Sequence, residues 1–447
     1  MVRGMDLNAL YMDIGTEFER PALKAVNTQD IIKLLLRSGV AGAISADLGK
    51  VVSEVTAYAK HIFDNIACDA NGNSVYNVDS HKFPGAISNY PDFYFSDGNE
   101  IGITKRAVEL YGAENVYYFA YDWRMNPLDI ADDIEETINL ALEQSGKSKV
   151  NLVNCSMGGV MTVAYMSKYG YSKLNKCVFS SSTVGGADIV PNLFSGDVQI
   201  DPDALYNFLS GLVGEQSEVN ALFRLLKTVG AFNAVSNFAN DLVADYKDIV
   251  YEEMLIETFG NMLSFWTFIP EEKYDECVNF MFGGETEERA ESLSKAKQLQ
   301  EAMSGRDQMI KNAHNDGVGI AFIASYNFPG APLHKDAKAN GDGTIETTHM
   351  TLGATVADYG TTFDRDTVDL NSPYLSADLV IDASTCLLAD NAWFIKDSPH
   401  VSLNYGTQQS DFLFWIINHP EAATVTDNPL YPQFMITDSS LSLSPLS

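Results

Sequence analysis

Lys149-Val150-Asn151-Leu152-Val153-Asn154-Cys155-Ser156-Met157-Gly158-Gly159 is the stretch that decides how the rest of the chain reads. Lys149 to Asn154 is a short apolar strand. Gly158 to Tyr169 has helical spacing and many small residues. A strand that runs into a serine and leaves as a helix is the setting of a nucleophile elbow, a tight turn that lifts the serine above a sheet edge. Such a turn needs small residues beside the serine, because helix and backbone approach closely. Gly158 stands at the second glycine of a G-x-S-x-G pattern, and Asn154 replaces the first. Asparagine tolerates unusual backbone angles better than most residues. The plainer alternative is a Ser-Gly helix start in which the serine only caps the helix.

Working outward, Asn115 to Tyr121 (N-V-Y-Y-F-A-Y) reads as a buried strand. Leu128 to Gln144 reads as a helix, with Ile130, Ile134, Ile138 and Leu142 on one face and Asp129, Asp132 and Asp133 near its start. Lys176 to Ser182 and Gly319 to Tyr326 are further strands. This alternation predicts an α/β fold with a mostly parallel sheet and helices on both faces. Between residues 190 and 312 strand signals fade. Helical spacing covers Asp203 to Leu212, Asn220 to Val229, Tyr246 to Leu263 and Glu285 to Ser304. The expected organisation is a first core part over 1–189, a helical cap inserted over 190–315, and a second core part with a C-terminal tail over 316–447. Phe412 to Asn418 is the expected last helix, and Pro420 to Ser447 a tail or edge segment. In the less legible first part, Ile31 to Arg37 and Leu48 to Ile62 look amphipathic. Asp69-Ala70-Asn71-Gly72-Asn73 lacks the spacing of a calcium loop and reads as an Asn-Gly turn.

The chain has 447 residues, 46% of them hydrophobic and 20% charged, which is a globular composition. Its formal net charge of −31 argues against nucleic acid, whose phosphates call for Lys and Arg. It argues equally against electrostatic docking on anionic lipid, although an apolar patch could still touch a membrane transiently. The five cysteines are scattered, with no CxxC pair, so neither a disulfide framework nor a zinc site follows. No HExxH, P-loop or dinucleotide fingerprint is present, and no metal, nucleotide or redox cofactor is expected. No stretch reaches the ~18 apolar residues of a membrane span. Met1 to Asp6 lacks the apolar segment of a signal peptide. That fits a cytoplasmic protein, or an exported or cell-surface one whose sequence continues upstream.

A serine hydroxyl needs a general base. Of seven histidines, His400 lies in a polar loop (K-D-S-P-H-V) before the last helix, where the chain order Ser, acid, His places the base. His419 closes the last helix and is explained by its C-terminus. His314, His334 and His349 read as surface or loop residues. Asp342, in Asn340-Gly341-Asp342-Gly343-Thr344, is the best acid to orient the imidazole. Gly-Asp-Gly alone is an ordinary turn. Its position between Ser156 and His400 is what singles it out. The backbone N–H of Met157, next after the serine, is the expected first oxyanion donor.

Several segments together resemble the lecithin:cholesterol acyltransferase-like group of α/β-hydrolases, which includes phospholipid:diacylglycerol acyltransferases, phospholipases and bacterial lipases. They are Tyr121-Asp122-Trp123-Arg124; Cys155-Ser156-Met157-Gly158-Gly159, with Cys155 where the group has His; Gly185-Gly186 through Leu193-Phe194-Ser195-Gly196; Ser264 to Pro270; Gly341-Asp342-Gly343-Thr344; and the stretch ending in His400. Together they cover roughly residues 115–420. The resemblance implies an α/β-hydrolase fold and acyl transfer from lipid esters to water or an alcohol, through Ser156, His400 and Asp342. It also implies a second oxyanion donor on a Gly-containing loop after an early strand. No such strand is legible before Asn115, so the first strand or strands are expected to be absent. Trp266 and Phe268 flank the cap motif and are expected to touch substrate. Core packing is the expected role of most other cap apolar residues, among them Phe194, Phe208, Leu212, Phe223, Phe259 and Phe265. Two alternatives stay open: an esterase or peptidase for smaller substrates, and a binding protein that keeps the scaffold without the chemistry.

Overall fold

Val150 to Ser156 becomes a strand because its apolar residues must be covered on both faces, as a central parallel strand requires. The computed structural model describes residues 1–5, 8–24, 56–58, 60–91, 102–206, 251–330, 338–400, 402 and 407–447, with scattered positions between 224 and 240. Along the described chain run α1 (Gly102–Tyr111), α2 (Pro127–Ser145), β1 (Val150–Ser156), α3 (Gly158–Tyr169), β2 (Leu174–Ser182) and α4 (Ile189–Ser195). They are followed by α5 (Tyr274–Phe282), α6 (Ala290–Ser304), α7 (Arg306–Asn315), β3 (Gly319–Tyr326), α8 (Thr347–Thr351), β4 (Ala392–Lys396), α9 (Thr407–Asn418), β5 (Phe434–Thr437) and β6 (Leu443–Pro445).

The sheet order is β6-β5-β4-β3-β2-β1. All pairs are parallel except β5 with β6. The protein is thus an α/β protein with a six-stranded, mostly parallel sheet interleaved with helices. Beyond β1 the sheet continues through single bridges. Val2 pairs in parallel with Asn154 on one side and with Phe119 on the other. The chain therefore passes from Val2 outward to Phe119, returns to β1, and then proceeds the opposite way. That reversal is a topological switch point, where the carboxyl ends of strands leave a crevice.

Local chemistry sets the helices. α2 begins where Asn126 Oδ1 accepts the N–H of Leu128 at 3.1 Å, with Pro127 in the first turn. It ends at Gly146, whose left-handed φ of 66° suits glycine. Ile130, Ile134 and Ile138 are buried, as their spacing predicts. Phe179 of β2 stacks on Phe322 of β3, with centroids 5.4 Å apart. On the other face Trp393 of β4 meets Phe412 and Trp415 of α9.

Expectation and structure differ at several places. Asn115 to Tyr121 is not a regular strand; Tyr117 and Phe119 make isolated bridges only. β4 was not legible as a strand, since five residues give too little alternation. The segment after Pro420, expected as a tail or edge segment, forms the edge strands β5 and β6. Where an early strand was expected to be absent, Val2 alone makes single bridges: its N–H donates to Val153 O at 2.8 Å, and Cys155 N–H to Val2 O at 3.2 Å. A single residue offers no periodicity, so nothing in the sequence marked it.

Between β2 and β3 the described chain is helical: α4, a π-helical turn over Tyr251–Gly260, a 3₁₀ segment over Leu263–Phe268, and α5 to α7. The helix expected over Tyr246 to Leu263 is described from Tyr251 only. Ile31 to Arg37, most of Asn220 to Val229, and Phe208, Leu212 and Phe223 lie outside the described residues, as does Leu48 to Ile62 before residue 56. Asp69 to Asn73 is a turn, as expected: Asp69 Oδ1 accepts the N–H groups of Asn71 and Asn73, both at 2.9 Å.

One buried ion pair ties the regions together. Arg124, fully buried, forks onto Asp122 with Nε at 2.9 Å and Nη2 at 2.5 Å. Two further hydrogens reach Ile66 O at 2.9 Å and Val78 O at 3.1 Å. Neighbouring Trp123 packs edge-on against Phe265. The Tyr-Asp-Trp-Arg segment is therefore a cross-link between the sheet, the early segments and the helical insertion. Arg124→Ala strands a buried carboxylate and two carbonyls, and is expected to cost about 3–5 kcal/mol, read as a lower urea midpoint.

Candidate active site

Ser156 ends β1 in the left-handed region, with φ of 50°. Only a surrounding that over-determines the backbone holds a serine there. Cys155 N–H donates to Val2 O, and both the N–H and the hydroxyl of Thr183 donate to Ser156 O at 3.0 Å. Asn154, expected to bear the unusual backbone angles, does not. Its Oδ1 accepts the Ser182 hydroxyl at 2.9 Å. The asparagine thus bridges two strand ends, and the strain sits on Ser156 itself.

The glycines after the serine have a steric reason. A Cβ on Gly158 would lie 2.4 Å from Val2 O, and one on Gly159 2.0 Å from Ser182 Oγ and 2.9 Å from Val184 N. α3 can start between the Val2 and β2 backbones only because both side chains are absent. Met157 takes up helical angles directly after Ser156. The serine therefore sits at the amino end of a 12-residue helix, where free N–H groups favour developing negative charge.

Asp342 and His400 arrive on loops following the next strands. After β3, a short hairpin of Phe328–Pro329 with Asn340–Gly341 leads into Asp342. Gly341 has no room for a side chain, since a Cβ would meet Ile345 O at 2.0 Å. Asp342 is 2% exposed, and its Oδ1 accepts the N–H groups of Thr344 (2.9 Å) and Ile345 (2.8 Å). Oδ2 lies 2.7 Å from His400 Nδ1. His400 follows β4, and its backbone N–H donates to Asp342 O at 3.0 Å. Its Nε2 is 3.0 Å from Ser156 Oγ. A carboxylate at Nδ1 assigns the ring proton to that nitrogen and leaves Nε2 free to accept the serine proton. Three residues spanning 244 positions thus form a continuous Ser–His–Asp hydrogen-bonded chain.

Met157 lies in sequence and geometry where a first oxyanion donor is expected. The carbonyl of Arg3 lies 3.2 Å from the Cβ position at Gly158, so the turn from Arg3 to Met5 runs beside the elbow. Asn8 fixes that turn by donating to Gly4 O at 2.7 Å. Sequence reading missed this loop because the strand before it is so short.

Trp266 belongs to the packed interior of the helical insertion. It stacks on Phe282, meets Phe194 and Tyr274 edge-on, and donates Nε1–H to Gly260 O at 2.9 Å. Phe268 is likewise buried, tilted against Phe265. The described cysteine thiols are poor rivals to the serine: burial pushes those of Cys68, Cys277 and Cys386 up to about 12. An apolar cavity of about 450 Å³ surrounds Met1, Ile138, Val153 and Phe414. Ser156, Asp342 and His400 are not among its lining residues. His349, expected on the surface, is instead on α8, partly buried, with Nε2 2.9 Å from Asp188 Oδ1. No helix among the described residues is long and apolar enough to cross a membrane. No family model, curated protein or solved structure matches the chain.

Gly159→Ala forces α3 away from Ser182 and Val184. It is expected to lose about 1–3 kcal/mol of stability by overpacking, measured by urea unfolding against Gly305→Ala, whose Cβ position meets nothing nearer than Glu301 O at 4.0 Å.

Proposed function

We propose that this chain is a serine-dependent acyl-ester hydrolase or acyltransferase of α/β-hydrolase architecture that acts on lipid esters. The observation that carries the reading is the imidazole of His400 lying within hydrogen-bond reach of both Ser156 and Asp342. The order of strands supports it. Nucleophile, acid and base follow β1, β3 and β4 in turn, all at carboxyl ends and beside the switch point. The lipid substrate class rests on the resemblance drawn from the sequence motifs and on the aromatic helical insertion beside the site.

In the proposed reaction Ser156 Oγ attacks the ester carbonyl carbon while Nε2 of His400 takes its proton. Asp342 keeps the ring oriented and stabilises the imidazolium. Negative charge on the carbonyl oxygen meets the Met157 N–H. Each such donor is worth on the order of 100- to 1,000-fold in rate. The tetrahedral adduct then expels the alcohol, which takes the proton from His400. Water or an acceptor alcohol repeats the sequence in reverse and frees Ser156.

A fluorophosphonate probe should label the full chain on the peptide holding Ser156, located by mass spectrometry. Ser156→Ala and His400→Ala should abolish labelling. A folded wild-type chain that stays unlabelled would refute the reading. On p-nitrophenyl esters, long acyl chains should be preferred; a strict preference for acetate would remove the lipid part of the proposal. Asp342→Asn should lower kcat by on the order of 10⁴-fold while the chain stays folded.

A further inference from the structure

Asp188, Glu346 and His349 come from two places the sequence sets far apart. Asp188 precedes α4, at the entry to the helical insertion. Glu346 and His349 lie at the start and middle of α8, directly after the Asp342 loop. One oxygen of each carboxylate and one ring nitrogen of the imidazole lie within 4.8 Å of one another. His349 Nε2 is 2.9 Å from Asp188 Oδ1 and 3.9 Å from Glu346 Oε2. Two ligands bound ~2.0–2.1 Å from a tetrahedral ion stand roughly 3.3 Å apart. The two His349 separations lie on either side of that value, and an ion would take the place of the hydrogen bond between Nε2 and Asp188 Oδ1, releasing the Nε2 proton.

The frame under these side chains is rigid. Gly185 N–H donates to His349 O at 3.0 Å, and a Cβ on Gly185 would lie 2.5 Å from the same oxygen. The two backbones are in contact, and Asp188 N–H adds a bond to Glu346 Oε2 at 3.2 Å. Ligands held this way need little reorganisation on binding. The cluster is also open on one side: the Glu346 side chain is 10% exposed, that of Asp188 47%. A water could therefore complete the coordination. One imidazole with two carboxylates suits zinc, whereas magnesium and calcium favour all-oxygen sets.

We propose that Asp188, Glu346 and His349 bind one zinc-class divalent cation that fastens the entry of the helical insertion to the loop carrying Asp342. The site does not depend on the chemistry assigned to Ser156. It was not legible from spacing, because Asp188 and Glu346 are 158 positions apart.

The test is calorimetric titration of the chelator-treated full chain with Zn²⁺, with X-ray absorption on the loaded protein. One equivalent should bind with a dissociation constant of about 10 µM or tighter, through nitrogen and oxygen neighbours at ~2.0–2.1 Å. His349→Ala and Glu346→Gln should each weaken binding by at least about tenfold, scaled from loss of one ligand. Glu346→Gln keeps the size and an acceptor for Asp188 N–H, so its zinc-free form should unfold at the wild-type temperature. At zinc about tenfold above the wild-type dissociation constant, the wild type should gain on the order of a few degrees in Tm and each variant clearly less. Wild-type binding weaker than about 100 µM would overturn the proposal. So would unchanged affinity in both variants, or a sulfur shell at ~2.3 Å, which would place the ion on cysteine.

Discussion

The left-handed backbone of Ser156 at the end of a buried parallel strand is the constraint on which the rest of the structure depends. A serine in that region costs on the order of 1–3 kcal/mol and persists only where neighbours leave no other choice. Here Val2 and β2 hold it from both sides, through Cys155 N–H and through Thr183. The same crowding excludes side chains at residues 158 and 159. Strain, strand pairing and glycine content are therefore one requirement seen from three sides. Its product is a hydroxyl raised above the sheet at the amino end of α3.

The partners of that hydroxyl follow from the parallel sheet. Parallel strands present their carboxyl ends on one edge, so loops after β3 and β4 emerge beside the one after β1. Each partner is then fixed by its own backbone. Two N–H groups occupy Asp342 Oδ1 and turn Oδ2 toward His400, while Asp342 O anchors the His400 backbone. A buried carboxylate satisfied in this way has little freedom to swing, and the imidazole inherits its orientation. Among the described residues few charged side chains are buried. The Asp122–Arg124 fork is a buried exception, with its donors matched to oxygen acceptors.

Legibility in the sequence varied with the length of the signal. α3 begins and ends where its small-residue pattern puts it, and β3 spans Gly319 to Tyr326 as read. α2 differs from its expected bounds by a residue at either end. Ser156, His400 and Asp342 were nameable because chain order and loop context narrow the choice, and the structure brings them together. The short elements were not legible. β4 has five residues, and the Met1 to Arg3 segment enters the sheet through single bridges. Trp266 and Phe268 could not be assigned either. An aromatic side chain reads the same in sequence whether it lines a pocket or packs a helix, and Trp266 packs.

By itself the sequence determined the α/β alternation, the elbow around Ser156 and the choice of Asp342 and His400 as its candidate partners. These depend on local periodicity, on steric demand at adjacent residues and on the chemistry of a few residue types. Only the tertiary structure decided that Val2 fills the slot beside β1, that the strain falls on Ser156 rather than Asn154, and that Asp188 meets Glu346 and His349. Those facts are contacts between residues tens to hundreds of positions apart. A chain's local pattern carries no record of such distances until strand order and packing fix them.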